Sequence, residues 1–342
     1  MNERSKGLFP LFLGLGILSV CGIFFGVVTW LSQPYVPANP QLTADAPLSG
    51  SIQALKDIPT GNFTYGGSAV MVPIRQVVEP LVAQATPQFK LLYVNPIDNS
   101  PSSARGMEML LSGEVAFSEI SRPIKPEEYT AAEQQGFELQ QTPVAIDGIA
   151  VVAHPNLDIE GLTLDQLRDI FLGNIVNWQD VGGPNIAIRP FSKRPSESGT
   201  ASFFVERILQ GGSLGNQVEI ASETTPVLRK IAETPGGIYY TSAPLAVPQC
   251  TVKTLPLSTA PDRPFVAPYQ RPQVEADQCP QQRNQINKDA LRNGTYPLTR
   301  RLFVVAKRGS SPDAVAGQAY TDILLSAEGQ TLVEEAGFVN IR

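Results

Sequence analysis

Residues 144–153 read Val-Ala-Ile-Asp-Gly-Ile-Ala-Val-Val-Ala, a nearly continuous apolar run. A strand with one wet face alternates apolar and polar residues. A run without alternation belongs to a strand covered on both faces, which is the situation in sheets flanked by helices. The neighbouring segments fit that requirement. After Gly66 and Gly67, residues 68–84 place Val70, Ile74, Val77, Val78 and Leu81 at helical spacing. Pro73 suits a first turn there, and Pro80 is expected to kink or end the helix. The pattern then predicts a strand over 90–94, a short helix over 106–111 and a strand from 115. Thr163 and Gln166 have capping-box spacing, Leu164, Leu167, Ile170 and Phe171 supply a buried face, and Gly173 can end that helix. Strands over 186–192, 237–241 and 302–306 and helix over 314–336 complete the series. This alternation predicts α/β layers with mainly parallel sheets. Ligands in such sheets bind at strand carboxyl ends and helix N-termini.

A different segment precedes these elements. Arg4 and Lys6 stand before residues 8–31, which carry no charge. At about 1.5 Å per residue this run can cross a hydrocarbon layer of roughly 30 Å. A cleaved signal peptide has a shorter core, about 7–15 residues, and a small-residue exit site. Neither is evident, so residues 1–33 are expected to be an uncleaved transmembrane anchor with its basic end in the cytoplasm. Cys21 follows Leu18-Ser19-Val20 and the apolar run continues beyond it, which suits an inert membrane thiol better than a lipid-modified one. Residues 34–60 hold Pro34, Pro37, Pro40, Pro47 and Pro59 among small and polar residues and are expected to form an extended tether. The expected location is the cell membrane, single-pass, with the folded part in the periplasm or extracytoplasmic space.

The remaining length suits two lobes better than one. The net charge of −6 and the lack of a basic cluster argue against a nucleic-acid partner. They do not argue against a small anion, because local dipoles dominate a buried site. Cys250 and Cys279 flank a segment rich in proline, and in an oxidising compartment they are expected to form a disulfide. His154 is the only histidine and follows a strand at a His-Pro turn, so neither a metal cluster nor a nucleophile–base pair is expected. The chain is expected to be neither an enzyme nor a cofactor carrier.

One stretch carries binding chemistry. Residues 194–204 read Arg-Pro-Ser-Glu-Ser-Gly-Thr-Ala-Ser-Phe-Phe, followed by Val205, Ile208 and Leu209 at helical spacing. Ser198 is placed as the N-cap, with Gly199 and Thr200 in the first turn. A helix start presents unpaired N–H groups and a positive dipole end. Hydroxyls add donors, glycine permits close approach to the backbone, and Arg194 adds a fork for an oxyanion. The same residues also suit a plain capped helix beside a surface charge.

This arrangement resembles the phosphate-binding proteins of the PstS type, which feed ABC transporters. The resemblance rests on Arg194, Ser198, Gly199, Thr200 and Phe204, and extends through Phe171–Pro184, Thr234–Tyr240 and the Glu328-Gly329-Gln330 and Ala336–Val339 stretches. It implies a two-lobed periplasmic-binding-protein-like α/β fold (type II) with a ligand cleft between the lobes. The lobes would comprise residues 61–145 plus 244–342 (lobe I) and 146–243 (lobe II). The implied ligand is inorganic phosphate, and the implied partners are ABC permease subunits, with the membrane engaged through the N-terminal helix. The alternative is a tethered anion sensor or envelope protein that keeps the fold without feeding a permease. The implied ligand set adds Ser68 and Ala69 from a glycine-rich loop, Ser103 before a helix, and Ser121 and Arg122 from Ser-Glu-Ile-Ser-Arg-Pro. Ser68 and Ser103 read equally as helix caps, and Arg122 as an ion pair between lobes. Ser121 stands where some relatives carry an aspartate that accepts a ligand proton. Asp147 is the candidate replacement, or else a hinge-capping residue or a partner of Arg194.

Overall fold

The computed structural model describes residues 51–55, 57–97, 100–274 and 278–341. The chain divides after Ala46, and everything described belongs to the second unit, Pro47–Arg342. Residues 8–31 and most of the expected tether lie outside the described residues. Among the described residues no helix is long and apolar enough to cross a membrane.

In chain order the elements are β1 (Gly61–Gly67), α1 (Val72–Ala85), β2 (Phe89–Tyr93), α2 (Ser103–Ser112), β3 (Phe117–Ile120), α3 (Pro126–Gln134), β4 (Leu139–Ala153), β5 (Leu162–Thr163), α4 (Leu164–Leu172), β6 (Arg189–Ser192), α5 (Gly199–Arg207), β7 (Glu219–Ile220), α6 (Thr224–Glu233), β8 (Gly237–Ser242), α7 (Ala243–Ala246), β9 (Lys253–Leu255), β10 (Leu257–Ser258), α8 (Lys288–Arg292), β11 (Thr299–Lys307), α9 (Pro312–Leu325) and α10 (Ala327–Glu335). The apolar run becomes the C-terminal two-thirds of β4, buried without interruption from Asp147 to Ala153.

β4 is the spine of the sheet, whose order is β2-β1-β3-β11-β4-β8-β6-β7, with β9 also on β4. Its first half pairs with β11 and its second half with β8 and β9. The outer strands are parallel as expected, β1 with β2 and β3, and β6 with β7 and β8. The central pairings of β4 and β11 are antiparallel. The reason is geometric: the chain leaves lobe I along β4 and returns along β11, so the two strands cross one junction in opposite directions.

Local chemistry sets the element ends. Thr163 and Gln166 bond each other's backbone N–H at 3.1 and 2.9 Å, a complete capping box, and Gly173 closes the helix at φ 92°. α1 runs through Pro80 to Ala85, because Val78 and Val82 on its buried face hold the turn that proline weakens. The helix expected over 314–336 is split at Ser326, whose extended backbone ends α9 and whose hydroxyl accepts from Gly329 N–H at 2.9 Å to cap α10.

Lobe I encloses Tyr65, Ile74, Phe89, Phe117, Leu302 and Tyr320, and lobe II encloses Val151, Phe171, Trp178, Phe204, Tyr240 and Leu255. The segment 244–298, which the sequence assigns to lobe I, packs Leu257, Tyr269, Leu291, Tyr296 and Leu298 into the lobe II core. Cys250 and Cys279 are bridged, with Cα atoms 5.6 Å apart.

A polar cluster is buried within lobe I. Glu119 accepts from Arg75 at 2.6 Å and from the Tyr320 hydroxyl at 2.8 Å, and the Arg75 guanidinium lies 3.8 Å over the Tyr93 ring. Tyr65 donates to Glu79. Burial, and then the charge of Glu119, push the Glu79 carboxyl above its usual range.

Two outcomes follow from this packing. The Cys250→Ser/Cys279→Ser variant should lose about 3–4 kcal/mol, because the bridge closes a long proline-rich loop; urea unfolding of parent and variant measures it. Glu79 favours folding only while protonated, and that contribution is lost as pH rises through its raised folded pKa. Glu79→Gln keeps an acceptor for Tyr65, so it should match the parent in acid and exceed it in melting temperature near neutral pH.

Candidate functional site

Three loops of lobe I bring three serines together. Ser68 follows β1 and its N–H bonds to Glu119 O at 2.8 Å, which pins it beside the end of β3. Its hydroxyl is 3.2 Å from that of Ser121, which is 3.2 Å from that of Ser103. Ser121 N–H also donates to the Ser103 hydroxyl at 2.9 Å. All three residues are buried. The hydroxyl that caps α2 belongs to Ser102, which accepts from Arg105 N–H at 3.3 Å, so Ser103 is released from capping. Ser68 does cap a short 3-10 turn, Ala69–Met71, accepting from Val70 N–H at 3.3 Å, while Ala69 itself is exposed.

Lobe II faces this triplet with the N-terminus of α5. Ser198 caps it, accepting from Ala201 N–H at 3.3 Å, as its position in the sequence predicts. A Cβ on Gly199 would stand 2.5 Å from the Ser121 hydroxyl and 3.1 Å from that of Ser103. Only glycine allows this approach, which sets the positive end of a helix dipole against three hydroxyls from the other lobe. Behind the helix start, Phe204 stacks on Tyr240 at 3.7 Å, and Tyr240 shares a 2.6 Å hydrogen bond with Ser192 at the end of β6. These contacts fix the direction in which α5 points.

The cation of the cluster is Arg300 at the start of β11. Its Nε and Nη2 bind Asp147 Oδ2 at 3.0 and 2.9 Å, and Nη2 also donates to the Thr200 hydroxyl at 2.8 Å. Nη1 is fully buried and has no hydrogen-bond partner among the described residues. A buried guanidinium N–H left unsatisfied is costly, by about 1–3 kcal/mol or more for a charged group. It is satisfied by an oxygen acceptor, best an anionic one. Burial pushes the Asp147 carboxyl up and the Arg300 guanidinium down, and each partner's charge opposes the other's shift.

The other residues singled out in the sequence lie differently. Arg194 is exposed, 63% by side chain, and sits 3.5 Å from Glu197. Arg122 is buried but grips both oxygens of Glu128, at 2.9 and 2.6 Å, and the Pro123 carbonyl. This ion pair lies within lobe I. Asp147 is committed to Arg300 through one oxygen and to the Ser242 hydroxyl, at 2.6 Å, through the other, with Ala243 N–H adding a bond. Its partner is therefore Arg300 and not Arg194.

Arg300 escaped the sequence reading because it stands a hundred residues from the helix it meets. One signal could have found it. In Thr299–Lys307 residues 300, 302 and 304 share a face, and Leu302 and Val304 mark that face as buried. An arginine in register with them points inward.

A family model described as a PBP superfamily domain matches residues 59–328. The phosphate-binding protein PstS of Staphylococcus epidermidis is 27% identical over 282 residues, covering 82% of this chain and 78% of that protein. The protein of that name from Pseudomonas aeruginosa is 27% identical over 295 residues, covering 82% and 83%. Among solved structures, a putative phosphate ABC transporter substrate-binding protein from Clostridium perfringens with bound phosphate superposes at TM-score 0.63, with 22% identity over 82% of this chain and all of that one.

The approach of Gly199 to Ser121 yields a direct test. Gly199→Ala should force the α5 terminus from the serines, lowering stability by about 1–3 kcal/mol as overpacking does and raising the radius of gyration in small-angle scattering. Adding Ser121→Ala removes the oxygen that the new methyl meets and should restore the parent's dimensions. Dimensions that stay enlarged in the double variant would place the obstruction elsewhere.

Proposed function

The chain belongs to the PBP superfamily, and on that premise we propose that it captures inorganic phosphate between its lobes and delivers it to an ABC-type uptake system. The observation that carries this reading is the meeting of Ser68, Ser103 and Ser121 with the α5 N-terminus, whose Thr200 accepts from Arg300, a guanidinium with Nη1 buried and unpartnered among the described residues. A tetrahedral oxyanion offers several acceptors in different directions. The serines supply neutral donors from lobe I, Ser198, Gly199 and Thr200 supply the helix terminus from lobe II, and Arg300 supplies the charge. Enclosure strengthens each bond, because competing water is removed. The work is capture and release, with no bond made or broken.

In this reading Asp147 orients Arg300 and does not read a proton on the ligand. Both of its oxygens are taken up by Arg300, Ser242 and Ala243. Arg194 stays at the rim and Arg122 is structural. The outward crossing lies near residue 147, and the return lies near residue 298, supported by the packing of 244–298 in the lobe II core. Residues 8–31 act as a single-pass anchor. The tether is shorter than the expected 34–60, because residues 52–54 form a 3-10 turn whose Ile52 is buried in the lobe I core and bonds Glu328 through its N–H. Together they would hold the lobes on the extracytoplasmic side for docking to the permease.

Calorimetric titration with phosphate tests the assignment. Arg300→Lys keeps a charge beside Asp147 but loses the fork, and should weaken binding roughly 10–150-fold, the equivalent of about 1.5–3 kcal/mol. Arg194→Ala should bind within about threefold of the parent, as expected for an exposed charge. Full affinity in Arg300→Lys together with loss in Arg194→Ala would return the charge to Arg194 and overturn this site.

A further inference from the structure

A second cleft lies on lobe II and shares no lining residue with the serine cluster. Its volume is about 580 Å³, within the roughly 300–1,000 Å³ usual for small-molecule sites. One wall is β9, which pairs with β4 through Lys253–Leu255, and the other is residues 269–273, anchored where Tyr269 bridges to Ile286. Both walls are therefore fixed by the fold.

Part of its polar lining has no protein partner among the described residues. Thr254 is 3% exposed, and its hydroxyl is fully buried without a hydrogen-bond partner. The Tyr269 hydroxyl makes no hydrogen bond among the described residues, and its ring is buried beside Arg271. Arg271 and Glu160 are exposed at the mouth, and among the described residues neither enters an ion pair. Lys253 donates to the Leu157 carbonyl and feels the carboxylate of Asp158, and its ammonium has two further N–H groups. Gln273 completes the polar set. Two cations thus line a cleft in a chain of net charge −6.

We propose that this cleft binds a small hydroxylated carboxylate, a sugar acid or hydroxy acid. Arg271 and Lys253 take the carboxylate, since a guanidinium fork matches its two oxygens. Thr254, Tyr269 and Gln273 bond hydroxyl groups of the carbon skeleton, and Glu160 accepts from one of them. A neutral sugar leaves Arg271 unanswered, and a simple carboxylate leaves the hydroxyls and the amide unanswered. The site stands apart from the phosphate reading and does not depend on it.

The probes are glucuronate, glucose and acetate, titrated calorimetrically against the full chain and against the chain carrying Arg300→Lys. Glucuronate should bind saturably and alike in both, and at least about tenfold more tightly than either comparison compound. Lys253→Met with Arg271→Ala should weaken it by more than about tenfold, and Thr254→Val, nearly the same shape, by about three- to tenfold. Circular dichroism confirms that the variants fold. The proposal is overturned if glucuronate binds no better than glucose or acetate. It is equally overturned if binding survives loss of both cations, or if Arg300→Lys abolishes it, which would place the sugar acid in the phosphate seat.

Discussion

The buried pair of Asp147 and Arg300 is the interaction on which the rest of the structure depends. The two residues face each other across β4 and β11 in the antiparallel register, at the point where the chain passes between lobes. Both side chains are almost fully buried, at 0% and 2% exposure. Two charges removed from water hold together only when their remaining donors and acceptors are met. Asp147 meets this condition through Ser242 at the end of β8 and Ala243 at the start of α7. Arg300 meets it only in part, through Thr200 on α5. One ion pair thereby ties two junction strands, the end of a lobe II strand and the candidate binding helix. The single group left over, Nη1, is the one that faces a need for a ligand oxygen.

In the proposed site this division of labour accounts for neutral groups on the lobe I side. A second cation beside Arg300 would be repelled within a closed site, whereas hydroxyls rotate to suit whichever oxygen they meet. The serines are in turn held by backbone, Ser68 through Glu119 O and Ser121 through the Ser103 hydroxyl. Glu119 is itself fixed by Arg75 and Tyr320. The buried charges of lobe I thus position backbone and leave the contact surface to uncharged groups.

Features written in adjacent residues were legible in the sequence. The uninterrupted run of β4, the Thr163 capping box, the Ser198 cap and the Cys250–Cys279 bridge all follow from spacing of a few residues or from composition. The three serines were legible only through the family resemblance, which marks their three loops separately and says nothing of how the loops meet. What could not be read locally was pairing over distance. Arg194 lies next to the Ser198–Thr200 stretch in the chain, yet the chain turns it to solvent, while Arg300 reaches the same helix from another lobe. The lobe II packing of 244–298 was hidden for the same reason: apolar residues in a proline-rich segment do not say which core they join.

β4 is one unbroken strand of 15 residues that serves both lobes. At about 3.4 Å per residue it spans roughly 50 Å. The lobes are thus not two bodies on a slack string. Any separation of the serine triplet from α5 has to be taken up as twist and curvature along β4 and its neighbour β11, whose cross-strand hydrogen bonds resist sliding. Such a junction behaves as a leaf spring. Bending of that kind would return the serine triplet and α5 to the same alignment without any side chain acting as a guide.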